Sequence, residues 1–224
     1  MRKQKLVPNS IYHVFNRGVE KRLIFLDESD YFRFINNLAI FNDKKSVLNA
    51  QYHVKEIKTS DTRKPLVDIL AFCLMPNHYH LLLRQKEKDG ISKFMNKIGV
   101  GYANYFNLKY ERVGSLFQGT FKAVLINKES QFLYIPYYIH LNPLDLITMD
   151  WRENGVSRPK LAIEFLDSYK WSSHRDYAGK SNFVGVLNKH PLNEFFASPE
   201  DYRKEFKNFM EDFDFLDMSD LLLD

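Results

Sequence analysis

The stretch VDILAFCLMPNHYHLLL, residues 67 to 83, constrains the fold more than any other part of the chain. Two apolar, strand-like runs flank Met75-Pro76-Asn77, where proline and asparagine supply turn chemistry and the second run follows at once. The pattern predicts a β-hairpin whose second arm carries His78 and His80. Side chains at i and i+2 of a strand share a face, so the two imidazoles project together while Tyr79 and Leu81 point the other way. Such a pair can ligate one divalent cation. It can equally be two core histidines with ordinary hydrogen bonds, the commoner case for an isolated pair.

The rest of the pattern places this hairpin in a larger unit. SIYHVF, residues 10 to 15, reads as a strand ending at the turn signal Asn16-Arg17-Gly18. Tyr31, Phe34, Ile35, Leu38 and Phe41 then recur at helical spacing, with Ser29 or Asp30 as the expected cap. A second helix covers residues 91 to 110 despite Gly99 and Gly101, which would allow close approach to a sheet. GSLFQGTFKAVLI, residues 114 to 126, reads as a strand broken by Gly119. QFLYIPYYIHLNP reads as a helix closing at Pro143, with Pro136 either kinking it or marking a late start. LNAQYHVKEI, residues 48 to 57, is a candidate extra strand. The order of elements predicts an α+β, ferredoxin-like split sandwich: a mostly antiparallel four-strand sheet with helices packed on it. The core is expected over residues 1–143. Residues 144–224 form a C-terminal extension of helix and loop.

Composition narrows the functional classes. With 45% hydrophobic and 15% aromatic residues in 224, the chain can bury a sizeable core without staples. Its single cysteine, Cys73, excludes an internal disulfide and a cysteine-based zinc site. The 32 Lys and Arg against 28 Asp and Glu permit nucleic-acid binding without arguing for it, because no long basic run is present. Neither a signal peptide nor a membrane span is legible, so the expected location is the cytoplasm.

A second constellation lies in YYIHLNP, residues 137 to 143. Positions i and i+4 share a helical face, so Tyr138 and Asn142 point one way and His140 another. Near a two-histidine metal site, this pair would supply a nucleophile and a further oxygen ligand. Alone, aromatic residues at this spacing are more often core.

Five segments in order, IYHVFNRG, FCLMPNHYHLLL, GSLFQGTFKAVLI, YIHLNP and YKWSSHRDYAG, together resemble the single-tyrosine transposases of the His-hydrophobic-His superfamily. The similarity is to the subgroup associated with repetitive extragenic palindromes, and it covers about two thirds of the chain. The resemblance implies a ferredoxin-like fold that cuts and rejoins single-stranded or hairpin DNA through a covalent 5′-phosphotyrosine, with magnesium or manganese. Carried over, His78, His80 and Asn142 would be metal ligands and Tyr138 the nucleophile. Two neutral imidazoles and an amide would favour manganese in affinity. Relatives commonly carry arginine where this chain has Thr120, so a phosphate contact is moved or missing.

Weaker candidates for DNA contact are Arg17 and Lys122 at phosphates, with Phe117, Phe121 or Tyr105 stacking on bases. Trp171 and Arg175, with Lys170 and Lys180, suit a hairpin surface, although an indole in this setting more often anchors an extension onto its core. A DNA-hairpin-binding protein without catalysis and a metal-dependent hydrolase using water are the alternatives. Both monomer and homodimer are open.

Overall fold

The computed structural model describes residues 6–45, 63–148 and 151–212. The candidate strand at 48–57 and the acidic tail lie outside the described residues. The core elements are β1 (Ile11–Arg17), α1 (Glu28–Ile40), β2 (Val67–Met75), β3 (His78–Gln85), α2 (Gly90–Lys109), β4 (Lys122–Ile126) and α3 (Glu129–Leu141). After them come α4 (Trp151–Asn154), α5 (Pro159–Ser168), α6 (His174–Tyr177) and α7 (Pro199–Asp212).

The four strands form one antiparallel sheet in the order β2-β3-β1-β4, the expected α+β arrangement. Directly opposed residues share a face. Phe15 opposes both His80 and Lys122, and Arg17 opposes His78, so period 2 puts His13, Phe15, Arg17, Lys122, His78 and His80 on one side. The other side, with Tyr12, Val14, Phe72, Tyr79 and Leu81, packs in one cluster with Phe34 and Leu38 of α1 and Phe94 and Ile98 of α2.

The histidine-bearing side is closed by α3 and by the extension. Ala71, Cys73 and Leu82 share a cluster with Ile135, Tyr138 and Ile139 of α3 and with Trp151, Leu166, Tyr202 and Phe206. Because both faces are covered, every residue of β2 is buried. The extension also runs beside β2: Leu74 N donates to Trp171 O at 2.9 Å, and Ser173 N donates to Phe72 O at 3.0 Å. This pairing occupies backbone groups that an edge strand would otherwise expose.

Four local expectations change. The α1 cap is Asp27, whose side chain accepts from Ser29 N and Asp30 N while Asp30 reaches back in a reciprocal capping box. The strand expected at 114–126 shrinks to Lys122–Ile126; before it the backbone turns, with Gly119 at φ +75° and only an isolated bridge between Gly18 and Phe117. A Cβ on Gly101 would lie 2.5 Å from the Phe41 ring, so this glycine admits the end of α1, not the sheet. Helix α3 starts at Glu129 and runs through Pro136, forgoing one backbone hydrogen bond there. Among the described residues, no helix is long and apolar enough to cross a membrane.

Candidate active site

Strand periodicity sets the two histidines side by side, with ring centroids 5.0 Å apart and planes at 85°. His78 Nδ1 lies 2.6 Å from Asn77 Oδ1, so its N–H donates there and leaves the Nε2 lone pair available. His80 is fully buried, and its Nδ1 lies 2.8 Å from His13 Nε2 on β1. Its Nε2 is buried with no hydrogen-bond partner. Burial pushes the His78 imidazole down to about 4 and His80 well below the usual histidine range, so both are neutral near pH 7.

Helix α3 lays Tyr138 over this pair. Its ring lies edge-on 6.1 Å from His80 and 6.0 Å from His13, and the residue is fully buried. Asn142, one turn on, ends the helix: Nδ2 donates to Tyr138 O at 2.9 Å, and Oδ1 accepts from Arg152 Nη2 at 3.0 Å. The amide therefore caps the helix and ties it to the extension, while a second lone pair stays on Oδ1.

What fixes the rotation of α3 is the side chain between these two. His140 points away from the site into a buried chain of hydrogen bonds. Its Nε2 lies 2.7 Å from Ser173 Oγ and its Nδ1 2.8 Å from Tyr202 Oη; His174 Nδ1 meets the same hydroxyl at 2.8 Å, and His174 Nε2 meets Asp167 Oδ1 at 3.1 Å. Burial holds both imidazoles neutral. One arrangement of protons then satisfies every link. His174 Nε2–H donates to the carboxylate, Tyr202 O–H to His174, His140 Nδ1–H to Tyr202, and Ser173 O–H to His140. The extension thereby clamps α3 from behind and aims Tyr138 at β3.

The donor set fits a divalent ion. The unpartnered His80 Nε2, with its proton on Nδ1, and the His78 Nε2 are donors of the kind such an ion takes, and the Asn142 amide oxygen retains capacity. Among the described residues, no group of three or more His, Cys, Asp or Glu side chains is arranged to hold a metal, so an ion here would rest on two imidazoles and an amide.

Arg17 and Lys122 lie on the same side of the sheet, lining with Phe15, Asn16, Gln118 and Thr120 a small pocket of about 130 Å³. Arg17 Nε donates to Gln118 Oε1, and Lys122 is exposed. Thr120 thus sits beside two cations, although it carries no charge itself. Two other candidates for DNA contact are inside the protein. Phe117 is 7% exposed and packs against Tyr79, while Trp171, also 7% exposed, stacks on Tyr31 at 4.4 Å. Neither presents a ring face for a base, because each is spent on the core. Arg175 is on α6, partly buried. A larger groove of about 490 Å³ between α2 and the 114–121 turn includes Asn16 and Tyr79, which lie on the sheet face away from the histidines.

Two members of the site escaped the sequence reading. His13 belongs to the alternating IYHVF run, so its face relative to Arg17 was legible, but its strand neighbour was not. Arg152 follows Asn142 by ten residues and had no local signal.

Residues 36–142 match the family model for IS200-like transposases. No curated protein sequence matches the chain. A solved REP-associated tyrosine transposase bound to a REP hairpin superposes with a TM-score of 0.51 and 11% identity, over 84% of this chain and 90% of that one, a likeness of fold. A Deinococcus radiodurans structure provisionally described as a transposase, 15% identical over 62% of this chain and 95% of its own, has a TM-score of 0.37 and carries no argument. The segment that holds His78, His80, Tyr138 and Asn142 is the one that is similar to the IS200-like transposases.

Proposed function

We propose that this protein cuts and rejoins single-stranded or hairpin DNA by single-tyrosine chemistry, with His78, His80 and Asn142 holding magnesium or manganese. The observation that carries this reading is the placement of Tyr138 6.1 Å, ring to ring, from a buried histidine whose outer nitrogen has no partner. When bound, the ion would polarise the scissile phosphate and offset its charge. Tyr138 Oη attacks phosphorus, the 3′-oxygen leaves, and a 5′-phosphotyrosine conserves the bond energy for rejoining by a DNA 3′-hydroxyl. Because His80 and Tyr138 are fully enclosed, the phosphate has to enter past His78 and Arg152, which keep partial exposure. Arg17 and Lys122 are suited to the flanking phosphates. Residues 1–143 form the catalytic unit in this reading, and residues 144–224 set the angle of α3. A hairpin partner is favoured by the fold shared with a transposase solved on one.

Mass spectrometry of protein digested after incubation with such DNA and manganese should find a nucleotide remnant on the peptide containing Tyr138. A remnant on another residue would contradict the assignment. The complete burial of Tyr138 favours a second reading, a hairpin-binding protein without catalysis, in which DNA binds and no remnant appears on any peptide.

A further inference from the structure

Arg152, in the short helix α4, meets nearly every member of the candidate site. Its Nη2 donates to Asn142 Oδ1 at 3.0 Å, and its Nη1 pairs with Asp145 Oδ1. Trp151 Nε1 holds that carboxylate from another direction at 2.6 Å, and the Trp151 ring lies 4.3 Å from the guanidinium carbon. The same carbon stands 5.8 Å from the centre of the Tyr138 ring. It is also close enough to act electrostatically on both His78 and His80. With 26% of its side chain exposed above a tyrosine that has no exposure, it is the cation an incoming phosphate would meet first on that side.

A purely structural arginine would need only its carboxylate and the indole beneath it. This one divides its fork between Asp145 and an amide at the helix end, and it stands over the ring of Tyr138. We propose that Arg152 is a catalytic residue of the strand-transfer reaction, donating to the Tyr138 oxygen and to the scissile phosphate. The proposal rests on the reading of Tyr138 as nucleophile. In the forward step the Tyr138 Oη–P bond forms as the P–O3′ bond breaks, the phenolic proton is released, and a proton ends on the 3′-hydroxyl. Rejoining reverses this, with the phenolic oxygen as leaving group. A fixed guanidinium offsets the charge that gathers on that oxygen and on the phosphoryl oxygens in both directions. Asp145 and Trp151 are the groups that hold it ready.

The test compares wild type, Arg152→Lys and Arg152→Ala on a labelled DNA hairpin with a single-stranded flank. The rate of denaturant-resistant adduct formation in manganese and the affinity for the same DNA without metal are both measured. Loss of a preorganised donor predicts an adduct rate about 100- to 1,000-fold lower for Arg152→Ala, with Arg152→Lys between. Free guanidinium should restore at least about tenfold of that loss to Arg152→Ala and nothing to Tyr138→Phe. A folded Arg152→Ala that binds the hairpin and forms adduct within about threefold of wild type overturns the proposal, as does loss of rate that guanidinium cannot restore. Should Arg152→Ala fail to fold, Arg152→Lys decides on the same threefold margin. Absence of any adduct in wild type would instead remove the nucleophile assignment, and the role of Arg152 with it.

Discussion

His13 Nε2 lies 2.8 Å from His80 Nδ1 across two neighbouring strands, and this contact orients the imidazole whose other nitrogen is buried and unpartnered. A ligand held from behind in this way keeps one tautomer and one direction. Replacing His13 with alanine should therefore weaken manganese binding about 10- to 100-fold by titration calorimetry while hairpin affinity holds. Unchanged manganese affinity would mean that the contact does not orient a ligand.

Trp171 stacks on Tyr31 at 4.4 Å and on Phe183 at 6.3 Å, with Phe32 against its edge. Trp171→Ala should cost about 3–5 kcal/mol in urea denaturation, the usual loss for a buried indole. The affinity of the remaining folded protein for hairpin DNA should stay at the wild-type value. A selective loss of affinity with little loss of stability would return Trp171 to the DNA surface.

Tyr202 Oη sits between two imidazole nitrogens, each at 2.8 Å. Its removal in Tyr202→Phe leaves two buried polar atoms without partners, at about 1–3 kcal/mol each. The melt should shift down accordingly. Adduct formation should slow as well, because α3 loses part of the clamp that aims Tyr138. A variant as stable and as active as wild type would show that the chain of hydrogen bonds is dispensable.

Asp167 is hydrogen-bonded by His174, and Arg203 and Lys180 lie at 3.2 and 3.3 Å. The His174 hydrogen bond, with that of Arg203 behind it, holds the carboxyl well below the usual carboxylate range. The unfolded chain therefore binds the proton first on acidification, and the stability that Asp167 contributes is present above about pH 4 and lost as pH falls toward its folded value. Between pH 7 and 5 the stability gap between wild type and Asp167→Asn should be constant; below about pH 4 it should close. A gap that widens on acidification would contradict the ionised pairing.

The hairpin and its two histidines were legible because period 2 is a local property: Pro76-Asn77 marks the turn, and His78 and His80 share a face whatever the strand pairs with. Tyr138 and Asn142 were legible for the same reason at helical period. What no local pattern carries is register and long-range packing. His13 reaches His80 only because Phe15 opposes His80, a pairing set by the closure of the whole sheet. Arg152 reaches Asn142 through the turn of chain beyond Pro143, and Asn142 itself turned out to cap its helix. Trp171 and Phe117 pack in the core, the commoner outcome for such aromatics, and only the fold could say so, since an aromatic beside basic residues looks the same in sequence whether it faces DNA or Tyr31. The strand expected from residue 114 failed at Gly119, whose positive φ turns the chain before β4 begins.

The most direct measurement is a denaturing gel of wild type and Tyr138→Phe, each mixed with labelled hairpin DNA bearing a single-stranded flank, in manganese and again in a chelator. Single-tyrosine strand transfer predicts a shifted, denaturant-resistant band for wild type in manganese alone. A band that persists in Tyr138→Phe, or cleavage by that variant at the wild-type rate with no covalent species, would contradict it and point to another nucleophile or to water.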